Sequence, residues 1–207
     1  MKILKIQRFP VGILRTNSYL VSYNDRGIIV DPGGISDKLD ENIKKLNGID
    51  YIILTHGHFD HILEVKRYQN LTGAKIVIGK DEKDFPMDNS LNLCSEFYKK
   101  GINNFSADIL LKDGDTLKFN DKEIKVIFTP GHTIGSVCYC LDNNMFSGDT
   151  LFRGKVGRTD LATGNENDML NSLKKLYDLE TDYSVYPGHG LTTSLYREKS
   201  LNTGLKQ

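Results

Sequence analysis

The sequence contains no tryptophan, only three cysteines and no surplus of either charge, since 27 lysines and arginines balance 27 aspartates and glutamates. Each shortage excludes a class of protein. Three cysteines among 207 residues, Cys94, Cys138 and Cys140, cannot build a disulfide scaffold and suit a reducing compartment. A net charge of zero removes the long-range pull toward nucleic acid or an anionic membrane as the main partner. No apolar run approaches the roughly 18 residues that span a bilayer. The opening Met1-Lys2-Ile3-Leu4-Lys5-Ile6-Gln7-Arg8 is broken by charge every few residues, unlike a secretion signal. The expected location is the cytoplasm, and the expected partner is a small molecule, with neither nucleic acid nor membrane. Nothing in the pattern specifies an oligomeric state. What is present, 39% hydrophobic and 26% charged residues, is the profile of a folded chain and not a disordered one. Its length allows one large domain or two small ones.

Histidine is scarce too, with five copies, and their placement is the most informative feature. Thr55-His56-Gly57-His58-Phe59-Asp60-His61 packs three of them beside a carboxylate, while His132 and His189 stand in short glycine-flanked motifs. Such an inventory reads as a metal site rather than chance clustering. At helical spacing His58 and His61 share a face, but His56 and His58 do not. On a strand His56 and His58 share a face and His61 points away. No regular element presents all three, so a loop curling into a helix is expected. The spacing also excludes the His-Glu-x-x-His helix of metalloproteases.

Hydropathy patterning predicts the frame around this loop. Residues 2–9 read as a strand, then Ser18–Tyr23 and Gly27–Val30 as a hairpin turning at Asn24-Asp25-Arg26. Ser36 caps a predicted helix to about Leu46, and Ile49–Leu54 is a short apolar strand running into the histidine loop. Ile62–Leu71 reads as a helix ended by Thr72-Gly73, and Lys75–Ile78 as the next strand. Residues 80–105 carry only a weak helix signal around Leu91–Lys100, and fit a cover over the site and a simple surface insertion equally. Then come strands at Ile109–Leu111, Asp115–Phe119, Glu123–Phe128, Val137–Leu141 and Met145–Ser147. An amphipathic helix at 166–178 points Met169, Leu170, Leu173 and Leu176 inward. Tyr183–Tyr186 is a last strand, and Thr193–Leu201 a closing helix. Cys138 and Cys140 share a face of one strand, where core packing explains them more simply than a ligand pair. No linker marks a domain boundary.

The remaining motifs fall at strand ends, where a sheet can hold loop-borne ligands rigidly. They are Thr129-Pro130-Gly131-His132, Gly148-Asp149-Thr150 and Pro187-Gly188-His189-Gly190. The candidate ligands are thus His56, His58, Asp60, His61, His132, Asp149 and His189. Seven exceed what one tetrahedral zinc accepts and suit two metals sharing a carboxylate. Two ions about 3.5–4 Å apart can bridge a water, lower its pKa and polarise the bond it attacks. Nitrogen and oxygen donors without thiolate suit zinc, iron or manganese. Asp31, in Val30-Asp31-Pro32-Gly33-Gly34, can be a ligand, an orienter of a ligand or a turn residue; its position alone favours the turn.

This combined pattern resembles the metallo-β-lactamase superfamily, over the chain from the first strands to about residue 200. The resemblance implies an α/β fold, an αββα sandwich of two mixed β-sheets face to face with helices on the outer faces. It also implies that His56, His58 and His132 bind one metal, that Asp60, His61 and His189 bind a second, and that Asp149 bridges them. Asp31 then sits behind the metals and orients a ligand. Zinc is the expected metal, with iron or manganese also compatible, and Asp60 and Asp149 count as catalytic. Gly131–Ser136, Gly148-Asp149-Thr150-Leu151-Phe152, Gly157-Arg158 and the Pro187–Gly190 ending are most similar to short bacterial members of the glyoxalase II group, the hydroxyacylglutathione hydrolases.

The implied reaction is thioester hydrolysis by a metal-bridging hydroxide, with Arg158 binding an anionic part of an acylthioester substrate. Asp149, where the drug-hydrolysing lactamases most like the type enzyme carry cysteine, argues against antibiotic cleavage. Two departures bear on the thiol. A single domain over residues 1–207 is expected, without the C-terminal helical glutathione-binding domain of longer members, and Asp160 and Leu191 stand where those enzymes carry aromatics. The alternative reading is a mononuclear iron persulfide dioxygenase, which Gly157-Arg158-Thr159-Asp160 also resembles, with His56, His132 and Asp149 as its ligands. RNA processing, also found in the superfamily, is disfavoured by the neutral charge.

Overall fold

The computed structural model describes residues 3–206. Lys2, the first residue of the predicted opening strand, lies outside them. The chain forms two compact units, one of residues up to 78 with 83–110, the other of residues 79–82 with 111–207.

The first unit carries a mixed sheet whose strands lie in chain order, save that Gly79 and Leu111 at its far edge fall in the second unit. The strands are β1 (Lys5–Val11), β2 (Thr16–Tyr23), β3 (Arg26–Val30), β4 (Gly48–Ile53), β5 (Lys75–Gly79) and β6 (Ile109–Leu111). Antiparallel pairing joins β1, β2 and β3, and parallel pairing joins β3, β4 and β5. Asn24 and Asp25 take left-handed φ of 49° and 63°, which gives the twist that a tight hairpin requires, so Arg26 joins the strand and not the turn.

Helix α1 (Asp37–Ile43) is capped by the Ser36 hydroxyl, which accepts from Leu39 N at 3.3 Å. It ends before the predicted Leu46, because the N–H groups of Lys45 and Leu46 turn to Asn42 and Ile43, only three residues back. The helix expected over Ile62–Leu71 divides into α2 (Phe59–Ile62) and α3 (Val65–Thr72). At the break, Glu64 N donates to Pro32 O at 3.0 Å instead of to a helical carbonyl. Gly73 closes α3 at φ 70°, as its sequence position predicts. Leu39, Ile43, Val65 and Tyr68 from these helices pack with Leu20, Ile29, Ile52 and Ile76 into one core.

The second unit carries the other mixed sheet, built from β7 (Thr116–Phe119), β8 (Lys122–Phe128), β9 (Val137–Leu141), β10 (Asn144–Gly148), β13 (Ser184–Pro187) and β14 (Thr193–Ser194). Their order is β14-β13-β10-β9-β8-β7, and β10–β13 is the parallel pair. A short hairpin, β11 (Leu151–Phe152) with β12 (Lys155–Val156), has strands too short for alternation to reveal them in sequence. Helix α5 (Glu166–Tyr177) starts at Asn165, whose side chain accepts from Asp168 N at 3.0 Å. Met169, Leu173 and Leu176 are buried as expected, while Leu170 is half-buried. The predicted closing helix is α6 (Leu195–Leu201), since Thr193 and Ser194 pair as β14 instead. Cys138 and Cys140 pack in this core with Met145, Leu173 and Val185. Burial pushes their thiols up to about 11 and about 12, so neither is a thiolate at neutral pH.

Residues 94–97, between β5 and β6 in the chain, form the short helix α4 in the first unit. Among the described residues no helix is long and apolar enough to cross a membrane.

Candidate metal centre

In the first unit the candidate ligands follow from strand direction. β3 and β4 are parallel neighbours, so their carboxyl ends lie side by side, and Asp31 N donates to Ile53 O at 3.1 Å. Asp31 is buried and held at φ 47°, a conformation that costs a non-glycine residue energy and clusters at functional sites. That twist brings its carboxylate to three donors. Oδ1 accepts from Thr55 N at 2.8 Å, and Oδ2 lies 2.6 Å from Thr55 Oγ1 and 2.9 Å from His61 Nδ1. Thr55 Oγ1, having given its proton to Asp31, faces His56 Nδ1 at 3.2 Å as an acceptor. One carboxylate therefore fixes both rings with hydrogen on Nδ1 and the lone pair on Nε2. The position read from sequence alone as a turn is a hub.

His56 Nε2 lies 3.1 Å from His58 Nδ1, and His61 Nε2 lies 3.6 Å from Asp60 Oδ2. All four residues are buried. Thr16, 44 residues upstream, donates to Asp60 Oδ2 at 2.6 Å. Nothing local in the sequence marks Thr16 for this task. Gly33 permits the arrangement, since a Cβ there would sit 1.5 Å from the Asp60 carbonyl oxygen. Residues 83–105 pack against the histidine loop and are no free insertion. Phe59 N donates to Asn92 O at 2.8 Å, Phe59 stacks on Tyr98, and the Phe85 ring lies 6.5 Å from His58.

In the second unit the same logic uses three strands. β9 runs antiparallel to both β8 and β10, and β10 runs parallel to β13, so β8, β10 and β13 all point one way. Their carboxyl ends carry His132, Asp149 and His189. Thr129 and Thr150 hydroxyls join two of these ends at 2.9 Å, and Gly188 N donates to Gly148 O at 2.8 Å to join the third. Asp149 Oδ2 stands 3.7 Å from His132 Nε2 and 3.5 Å from His189 Nε2, between the two rings. His132 Nδ1 donates to the Arg158 backbone carbonyl at 2.8 Å, which again places the lone pair on Nε2. The loop holding His132 is anchored from the far side by buried Glu82, whose Oε1 accepts from Gly135 N at 2.9 Å.

These donors fit a cation. His61 and His132 each turn an imidazole lone pair toward a carboxylate oxygen, and two acceptors repel at such range. A doubly protonated ring would close to the 2.7–2.9 Å of a charge-assisted hydrogen bond, but the separations are 3.6 and 3.7 Å. Two ligands about 2.1 Å from one tetrahedral ion lie roughly 3.4 Å apart. The donor set is nitrogen and oxygen only, which suits zinc, iron or manganese.

Arg158, expected to bind an anionic part of the substrate, is paired within the chain. Its guanidinium, 60% exposed, is held bidentately by Asp160, with Nε–Oδ1 at 2.6 Å and Nη2–Oδ2 at 2.7 Å. The arginine keeps the Asp160 carboxyl down at about 2.

A fold of two mixed sheets with helices, ending its strands in these motifs, defines a class. Residues 11–189 match the model of the metallo-β-lactamase superfamily, and the chain belongs to that superfamily. Its coarse activity is that of a metal-dependent hydrolase. The chain is 34% identical over 204 residues to "Probable metallo-hydrolase YqgX" of Bacillus subtilis, covering 96% of each. It is 30% identical over 206 residues to the hydroxyacylglutathione hydrolase GloC of Haemophilus influenzae, covering 96% of this chain and 97% of that one. Among solved structures it is similar to the B3 metallo-β-lactamase BLEG-1, with 32% identity, TM-score 0.90 and coverage of 98% and 100%. TTHA1623 in a di-iron-bound form matches with 28% identity, TM-score 0.81 and coverage of 95% and 98%. ETHE1 from Myxococcus xanthus matches with 25% identity, TM-score 0.74 and coverage of 96% and 83%.

Proposed function

We propose that this protein hydrolyses small acylthioesters with two divalent metal ions. His56, His58 and His132 are the ligands of one, Asp60, His61 and His189 of the other, and Asp149 is shared. The observation that supports metal binding most strongly is the fixed tautomer of His61 and His132, each presenting Nε2 to a carboxylate at 3.6 and 3.7 Å. What supports the thioester is similarity along nearly the whole chain to a hydroxyacylglutathione hydrolase.

Bound divalent ions supply a water of lowered pKa and polarise the carbonyl that it attacks. The chain's own residues do the rest. Asp31 orients His56 and His61 through Thr55 and directly. Thr16 aims Asp60. The Arg158 carbonyl orients His132, while its guanidinium reaches the substrate edge already matched by Asp160.

The test is metal content measured on the same preparation as a panel of thioesters varied separately in acyl and thiol halves. Two metal equivalents with thioester turnover is the expected result. A protein loaded with zinc, iron or manganese that leaves every thioester intact overturns the reading. The similarity to BLEG-1 and to ETHE1 adds two arms: a β-lactam, and oxygen uptake with a glutathione persulfide. One iron per chain with oxygen consumption is the outcome the dioxygenase alternative requires.

A further inference from the structure

The segment between β12 and α5 carries a feature that metal binding does not use. Residues 157–165 are tied to the His132 loop by three hydrogen bonds. His132 Nδ1 donates to Arg158 O at 2.8 Å, Ile134 N to Thr163 Oγ1 at 3.2 Å, and Asn165 N to Gly131 O at 2.9 Å. The main chain of Arg158, Thr159 and Asp160 is thus fixed beside a candidate metal ligand, while the two charged side chains stand 60% and 68% exposed. An exposed ion pair contributes little to stability. Its geometry is still specific. A carboxylate lying along both donors of a guanidinium is the arrangement by which arginine captures a ligand's carboxylate. Here the chain's own Asp160 fills that fork through Nε and Nη2.

We infer that Asp160 is a specificity-determining residue, an internal counter-ion that biases this edge of the site toward thioesters whose thiol portion carries no carboxylate. The inference rests on the thioesterase reading. An anionic thiol must first displace Asp160 from Arg158 and then lie beside the carboxylate it has released. A neutral thiol meets neither obstacle.

The test compares S-lactoylglutathione, whose thiol half carries two carboxylates, with the lactoyl thioester of N-acetylcysteamine, which carries none. In Asp160→Asn the anionic-to-neutral ratio of kcat/KM should rise about three- to tenfold. The rise should shrink as salt increases and vanish when Arg158→Ala is added. An unchanged ratio, or a rise that survives the second substitution, overturns the proposal. Calorimetric titration of metal-loaded protein with S-methylglutathione, a thioether with no thioester bond to hydrolyse, gives a readout free of thioester turnover. Tighter binding to Asp160→Asn than to the unsubstituted protein is expected, and equal binding overturns the counter-ion role. If no thioester is cleaved while binding still tightens, the thioesterase reading fails and the counter-ion stands.

Discussion

In the first unit four candidate ligands come from six consecutive residues, and a side-chain carboxylate orients two of them, His56 and His61. In the second, three come from three separate strand ends, and a backbone carbonyl orients one of them, His132. The first group is buried throughout, whereas the His189 side chain of the second is 29% exposed. A ligand group written in one loop depends on the side chains behind that loop, here Asp31, Thr55 and Thr16. A dispersed group depends on strand register, because His132, Asp149 and His189 meet only when β8, β10 and β13 end together. Both groups share one device: a glycine beneath the candidate aspartate ligand's main chain, Gly33 under Asp60 and Gly157 under Asp149.

The largest expected effects come from those glycines. A methyl group at Gly33 would sit 1.5 Å from Asp60 O, and one at Gly157 would sit 1.9 Å from Asp149 O. Gly33→Ala and Gly157→Ala should each cost about 3 kcal/mol in urea denaturation, with loss of bound metal. A tolerated Gly157→Ala would show the dispersed group to be the looser one.

Next come the ligands. His58→Ala should lower metal content and hydrolysis together while circular dichroism shows the sheets retained. Its loss in metal affinity should exceed that of His189→Ala, the more exposed ring, in competition with a chromophoric chelator. Equal losses would erase the distinction between buried and exposed groups.

Smaller is the effect of the orienting partners. Asp31→Asn should weaken metal binding about 10- to 100-fold, the usual worth of a carboxylate behind a metal-binding histidine. Arg158→Ala should change it by no more than about twofold, because the carbonyl that holds His132 survives every side-chain substitution. A large effect of Arg158→Ala on metal affinity would break the contrast.

The smallest effect concerns acid. Glu198 is fully buried, which pushes its carboxyl up, yet donors from Thr193, Gly154 N, Arg197 and Asn202 outweigh burial and hold it below its ordinary 4.5. A folded-state pKa below the unfolded one contributes stability that is complete above about 4.5 and fades as pH falls through the lower folded value. Hydrogen-exchange protection factors at α6 and the β11–β12 hairpin should therefore fall on acidification ahead of those at α1. Glu198→Gln should flatten that dependence, lowering the urea midpoint near neutrality by on the order of half a molar.

The histidine loop was legible because its candidate ligands are adjacent in sequence and their spacing fits no regular element. His132, Asp149 and His189 were legible as motifs at strand ends, since apolar runs terminating in glycine-flanked polar residues leave a local mark. Asp31 was ambiguous. Its role depends on φ 47° and on a threonine 24 residues away, neither of which a local pattern carries. Thr16 was invisible, because a threonine in a strand has many ordinary explanations. The split of the predicted helix at Leu63-Glu64 was hidden for a similar reason: Glu64 N is taken by Pro32 O, a contact between segments 32 residues apart.

Periodicity by itself determined the order of the main strands and helices, and the motifs at the strand ends carried the resemblance to the family and the nitrogen and oxygen character of the candidate donors. These properties are carried by neighbouring residues. Only the tertiary structure decided which nitrogen of His61 and His132 carries its proton and which glycines must remain bare. It also showed that the Arg158 fork is closed by Asp160. Each of those depends on two side chains or backbone groups meeting at a fixed distance, and distance between remote residues is set by the packing of sheets and loops.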